Sequence, residues 1–439
     1  MPEIEDESWP AYYADKIPDH FTYYLAYAET YPRAIDEDYS ILEEEHHNIL
    51  SAIDNAVSCS LWQHVVRFGW SVCDPTKGYL RVRGYWSILN DLLPQMIVAA
   101  QNAQDEDAVQ TFRQHYANMK LDMGDWETAE AIYHELLHHW QMVKDDHSVG
   151  VVMHQLGLLN QNIGKYAIAE DWYRQSLAVQ KTEMTPLPDV EAVKEAVQEL
   201  VGDGGPREIS PTSDVNRALF GWYAAGKTVY SLGMVAYQRQ DYEAAYQLCQ
   251  QSLAIRHAMG DELGASKTYL LLGAIACQTG DLDESRQCYE KSLALKRKLG
   301  DLLGIANALH QLGILAQIAA DYPKAESYYR ESLHIDEHLA NKEGIAGSFG
   351  QLANLYKEQN RFGPAETLYR SAISLSREIG DMHGLTLHLS NLAALFKMRG
   401  MIPEAIAVMQ EVVDLDRKYD FPDLTRDSQF MITLMEMAN

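Results

Sequence analysis

The chain has 439 residues, with 36 Lys and Arg against 63 Asp and Glu, a formal net charge of −27 with the histidines neutral. Hydrophobic residues make up 47% and charged residues 23%, which is globular material and not disorder, and so large a negative surplus argues against nucleic-acid or anionic-membrane partners. The longest uninterrupted aliphatic run, Met96 to Ala100, is five residues, against the roughly 20 needed to cross a bilayer.

The first ten residues, MPEIEDESWP, are acidic and lack an apolar stretch, so they do not read as a secretory signal. Residues 1–103 read as helical but irregular. Gly84 and Leu93 stand 40 residues before Gly124 and Tyr133, which makes 61–103 a decayed copy of the unit beginning at residue 104. From there a 40-residue register takes over. Gly233, Gly273, Gly313, Ala353 and Ala393 fall 40 apart, as do Ala245, Ser285, Ala325, Ala365 and Ala405, and Leu253, Leu293, Leu333, Ile373 and Val413. Gly157 with Ala169 and Leu177, and Ala117 with Ala129 and Leu137, keep the same internal spacing. Two units therefore fill 104–183 and five fill 220–419.

Each unit reads as two amphipathic helices, with small residues where backbones approach and large apolar residues one turn away. Gly124, Gly164, Gly280, Asn360 and Gly400 suit the left-handed end of a first helix. Gly260, Gly300 and Gly380 suit the end of a second helix, each followed by an N-capping Asp (Asp261, Asp301, Asp381). Pro323 and Pro403 sit in first turns, where a missing N–H costs little. Residues 184–219, with Pro186, Pro188, GDGGP and Pro211, interrupt the register as an insertion that is either a loop or a contact over one face, with one short helix expected at 190–200. Residues 420–439 read as a capping helix with a Met-rich face. No segment alternates with strand-like composition, so the chain is all helix.

Small-Leu-Gly in the first helix, Gly-Asp-Tyr at the turn and Ala-x3-Tyr-x3-Leu in the second resemble the tetratricopeptide repeat (TPR) in its 40-residue form. The resemblance implies an all-α, right-handed superhelical solenoid of helix-turn-helix repeats whose first helices line a concave surface. Upstream, His20 to Glu29, the spaced set Leu42, Glu45, Asn48, Ile49, Ala52, Ile53 and Ala56, and Arg83-Gly84-Tyr85-Trp86 resemble the entry into the C-terminal repeat arm of bacterial STAND-class signalling NTPases. In that family the arm senses a ligand and holds the NTPase inactive, in signalling and in defence against phage. No NTPase module precedes it here, so the chain is expected to be an excised arm or a stand-alone relative.

Two motifs suggest chemistry. Gly221-Trp-Tyr-Ala-Ala-Gly226-Lys227-Thr228 fits the P-loop pattern, but no strand precedes it, and Lys227-Thr228 stand 40 before Lys267-Thr268 inside a helix. His134-Glu135-Leu136-Leu137-His138 fits the HExxH zinc pattern, but its imidazoles lie off the buried stripe set by Tyr133, Leu136 and Leu137, with no third ligand evident. Neither a cofactor nor a metal is expected. The cysteines (Cys59, Cys73, Cys249, Cys277, Cys288) form no CxxC pair and are odd in number, as expected of reduced, packed thiols in a cytoplasmic protein.

The candidate site is the inward line of the first helices. Counted from the Gly273-type position, Lys227, Lys267 and Asn307 stand six before it, and His154, Tyr230 and His310 three before it. Gln155, Gln311, Gln351 and Asn391 stand two before it, Asn354 one after it, and Lys357 and Lys397 four after it. Amides offer donors and acceptors to an extended backbone, and lysines attract carboxylates. A non-catalytic scaffold for a protein or peptide ligand, an acidic one by the lysines, is the leading expectation, as a sensor or regulatory arm or an adaptor in bacterial signalling or defence. A co-chaperone-like adaptor is the second reading, and a zinc metalloprotein built on His134 and His138 the reading of another class. The oligomeric state is open.

Overall fold

The structure, a computed structural model, describes residues 17–30, 45–73, 80, 85–182, 214–419 and 421–438. Among them are 19 α-helices and no strand. Most of the expected insertion, including its short helix, lies outside the described residues, as do Leu42, Arg83 and Gly84. The chain forms two compact units, Met1–Met184 and Thr185–Asn439.

The first unit holds α1 (Ile17–Thr30), α2 (His46–Ser58), α3 (Trp62–Val72), α4 (Trp86–Asn102), α5 (Glu106–Asp122), α6 (Trp126–Val143), α7 (Asp146–Asn162) and α8 (Tyr166–Thr182). α2 buries Ile49, Ala52, Ile53 and Ala56, the spacing of one helical face. That face joins Phe21 and Leu25 of α1 and Phe68 of α3 in one core. From α5 to α8, consecutive helices pack as hairpins.

The second unit holds α9 (Asp214–Gln238), α10 (Tyr242–Ala258), α11 (Glu262–Thr279), α12 (Leu282–Leu299), α13 (Leu302–Ile318), α14 (Tyr322–His338), α15 (Lys342–Glu358), α16 (Phe362–Ile379), α17 (Met382–Met398), α18 (Ile402–Tyr419) and α19 (Leu424–Ala438). α9 begins at Asp214, six residues ahead of the repeat boundary expected from the register. The last helix, α19, packs on α18.

Three periodic devices hold the hairpins. The first is a tyrosine set into a glycine. A Cβ on Gly157, Gly273 or Gly313 would lie 2.5–2.6 Å from a ring carbon of Tyr173, Tyr289 or Tyr329, so those rings occupy the space that the glycines leave. The second is a serine hydroxyl of the second helix donating to a carbonyl of the first, always across 26 residues. Ser176 reaches Gly150 (2.7 Å), Ser252 Gly226 (2.8 Å), Ser292 Ser266 (2.8 Å) and Ser332 Ala306 (2.9 Å).

The third device joins one hairpin to the next. The capping residues Asp261, Asp301, Asn341 and Asp381 each accept from the amide three residues on, which belongs to Gly264, Gly304, Gly344 or Gly384. Missing Cβ atoms at the first three leave room for a buried polar residue ending the previous helix: Arg256, Lys296 or Asp336. Arg256 donates to Asp261 at 2.7 Å, Lys296 pairs with Asp301 at 3.6 Å, and Asn341 donates to Asp336 at 2.7 Å. Where the buried residue is cationic the cap is Asp, and where it is acidic the cap is Asn.

At the far end, Asp416 of α18 is fully buried near Asp427 of α19, itself 3% exposed. Burial, and then Asp427 and Asp423, push the Asp416 carboxyl up to about 6.

Gly273→Ala is expected to lower stability by about 1–2 kcal/mol, because the clash with Tyr289 outweighs alanine's helix preference; the urea unfolding midpoint checks it. A carboxyl raised in the folded state stabilises at acid pH and loses that contribution as pH climbs towards its folded value. Asp416→Asn is therefore expected to gain on the wild type between pH 4 and about 6, with a constant advantage above, read from paired thermal melts.

Candidate binding groove

Helices α9, α11, α13, α15 and α17 present the same face at 40-residue intervals. Six residues before the small position, Lys227, Lys267 and Asn307 are exposed. Ten residues before it, one further turn along, stand Tyr223, Leu263 and Leu303, exposed at 53%, 45% and 50%. These half-exposed aromatic and aliphatic side chains form one line on the same face as the lysines. Sequence alone does not single them out, because leucines and tyrosines at helical spacing ordinarily mark the core.

Among the described residues the lysine pair has no acidic partner. Arg256 and Lys296 lie behind it and are matched by Asp261 and Asp301. Neither Lys227 nor Lys267 forms an ion pair among the described residues. Protein around the Lys227 ammonium, and after it Lys267 and Arg256, depress its pKa. The side chain is water-accessible yet enclosed, as at the wall of a groove. Two such cations are held apart by repulsion unless an anion lies between them.

The remaining expected residues divide into four groups. Asn307 and His310 line a recess of about 450 Å³ together with Leu303, Gly347, Leu387 and His388. His310 packs its ring against Tyr329 at 5.7 Å, and burial lowers its pKa. Others are engaged within the protein. Asn354 accepts from Tyr369 at 2.5 Å and from Lys357 at 3.2 Å, and its own amide faces Gln351 at 3.4 Å. Lys397 lies over the Phe430 ring of α19 at 5.3 Å, and Arg256 stacks 5.5 Å from the Tyr230 ring. Burial pushes the Tyr230 hydroxyl up to about 12. Gln311 and Asn391 are half-buried. His154 and Gln155 belong to the first unit, where His154 is buried against Tyr173 at 5.1 Å.

Both catalytic motifs lie within helices. Gly221 to Thr228 runs inside α9; Thr228 donates to the Ala224 carbonyl at 3.0 Å and the Gly226 carbonyl accepts from Ser252. A Cβ on Gly226 would meet Ile255 at 3.1 Å, so this glycine serves packing. His134, Glu135 and His138 are located on α6, where all three are exposed. His134 meets Trp172 edge-on at 5.9 Å and Glu135 pairs with Arg113 at 3.6 Å. Among the described residues no three His, Cys, Asp or Glu side chains converge to hold a metal. Cys73, Cys249 and Cys288 are buried and Cys277 half-buried, but Cys59 is exposed, contrary to the expectation that all five pack. The purified chain is expected to carry no stoichiometric zinc by elemental analysis, and His138→Ala to leave its metal content unchanged.

Comparison with known proteins gives the relationship. The profile of the tetratricopeptide repeat matches residues 107–182, 227–298, 264–338 and 305–378, more than half of the chain. No curated protein matches the sequence. Among solved structures, aspartyl phosphate phosphatase F from Bacillus subtilis aligns over 90% of this chain and 93% of its own, at 12% identity and a TM-score of 0.54. A STAND signal-transduction ATPase with a tetratricopeptide repeat sensor, from Pyrococcus horikoshii, aligns over 88% of this chain at 14% identity and a TM-score of 0.51; the match spans 52% of that protein's length. RapI in its apo form aligns over 71% of this chain and 98% of its own, at 12% identity and a TM-score of 0.50. At such identities the likeness is one of fold. An all-α solenoid of helical hairpins, the profile matches and the 40-residue register agree: the chain belongs to the tetratricopeptide repeat family.

Proposed function

We propose that the chain is a binding scaffold that holds an extended protein or peptide segment along the first-helix face of its second unit. The observation that carries this is the exposed pair Lys227 and Lys267, with no ion-pair partner among the described residues, flanked one turn away by Tyr223 and Leu263, in a protein of net charge −27. An acidic protein that keeps two cations unneutralised on an apolar strip has a site for a carboxylate-bearing partner. Among the described residues the face offers grip and no reacting constellation, and the reading adopted is of a non-catalytic protein, acting inside the cell.

Within that class a sensor or regulatory arm in signalling is the reading we adopt. It is supported by the likeness to a STAND protein whose repeats are named a sensor, and by the N-terminal helices that precede the repeats here. A phosphatase among the solved neighbours shares the fold without transferring its activity.

Once a partner is identified, Lys227→Glu combined with Lys267→Glu is expected to weaken its binding at least tenfold, about 1.4 kcal/mol, with the helical circular dichroism unchanged. Raising the salt should weaken wild-type binding as well. Equal affinity of the double variant and the wild type would remove the groove as the binding site.

A further inference from the structure

In the second unit, three joins between one hairpin and the next are bridged from the same register position. Tyr246 of α10 donates to Glu284 of α12 at 3.0 Å, and Glu326 of α14 accepts from Tyr356 of α15 at 2.8 Å. Glu366 of α16 pairs with Arg399, just beyond α17, at 2.5 Å. Between Tyr246 and Glu326 the series places Arg286 of α12, and it makes no such bridge. Its guanidinium turns to Asp283 of its own helix at 2.5 Å. Ala316 and Ala319 stand opposite, where the next two hairpins have Tyr356 and Phe396, and Gln359 and Arg399.

The join is left with a recess of about 290 Å³, at the lower end of the volumes that small ligands occupy. Leu312, Leu315 and Ala316 of α13, all buried, supply its apolar wall. Arg286 and Lys324 of α14 stand at its edge. At the preceding join the position of Lys324 belongs to Glu284, which accepts from Tyr246; here both positions carry cations. Lys324 forms no ion pair among the described residues, and its ammonium lies over the Tyr328 ring at 5.7 Å. Asp321 also lines the recess, but it caps α14, accepting from the Lys324 amide at 3.3 Å. The Asp283 carboxylate on Arg286 is a weak restraint, since both side chains of that pair are exposed.

We infer that this recess binds a small carboxylic acid with an apolar body, an arylalkanoate or a medium-chain fatty acid. The body lies against Leu312, Leu315 and Ala316, where removal of apolar surface from water favours binding. The carboxylate meets Arg286, whose planar fork suits it, and Lys324. Such a ligand supplies the bridge that side chains supply at the neighbouring joins. The site shares no residue with the lysine groove and is independent of the peptide reading.

Titration of the full chain with 3-phenylpropionate and octanoate, followed by ligand-observed NMR, tests this, with 3-phenylpropanol and octanol as neutral controls. At least one acid should bind at least tenfold more tightly than its alcohol. Lys324→Glu, at an exposed position, should weaken that binding at least tenfold. Ala316→Tyr, which supplies the ring found at Tyr356 one hairpin on, should weaken it as much and raise the thermal midpoint. No binding of either acid at millimolar concentration, or acids bound no better than alcohols, would overturn the site. Full affinity in either variant, or a lower midpoint for Ala316→Tyr, would overturn it as well. None of these results bears on the groove.

Discussion

The structure depends on how closely two helices of a hairpin can approach, and that distance is set by a tyrosine ring entering the gap left by a glycine. A buried Tyr173, Tyr289 or Tyr329 fills the volume next to Gly157, Gly273 or Gly313. Burial of an aromatic ring contributes more than any other single side chain in such a hairpin, and it is available only while the facing position stays bare. The hydroxyl at the far end of the ring then needs a partner, and Tyr173 and Tyr329 find one by donating to Gln161 and Gln317. Packing thus determines part of the groove's chemistry: an amide that anchors a tyrosine is less available to a ligand.

A second constraint acts at the turns, within hairpins and between them. The acidic composition is also partly structural. Asp105, Asp125, Asp145, Asp241, Asp261, Asp281, Asp301, Asp321 and Asp381 each cap a helix, accepting from the third residue onward. Carboxylates placed at the positive ends of helix dipoles are stabilising, so these nine acidic residues have a structural reason to lie at turns. The lysines that are not drawn into this scheme stand out for that reason.

The fold is largely legible in the sequence because the register repeats what the backbone needs: left-handed residues at turns, small residues at crossings, caps at starts. Gly124, Gly164, Gly280, Asn360 and Gly400 do adopt positive φ, and so do Gln240 and Ala320, which no composition rule would choose. The glycines at 264, 304, 344 and 384 are not legible in the same way, since the reason for the first three lies in a side chain from the preceding hairpin. The groove is legible only as a set of positions. Lys227, Lys267, Asn307 and His310 stand where the register puts them, but the engagement of Asn354 with Tyr369, and of Lys397 with Phe430, depends on neighbours in three dimensions. Leu303 and Leu387 are silent in the sequence because hydrophobicity alone does not say whether water or protein lies opposite.

The match between Arg256 and Asp261, Lys296 and Asp301, and Asp336 and Asn341 has a consequence for how such a chain can change. Hairpins here are not interchangeable beads. Were the segment ending in Asp336 spliced ahead of α17, its carboxylate would face the Asp381 carboxylate across a dry seam, which is strongly disfavoured. Duplication or shuffling of one module would therefore require a compensating change at the adjoining cap. The order of the modules is written into their seams, and with it the order in which the groove presents its lysines.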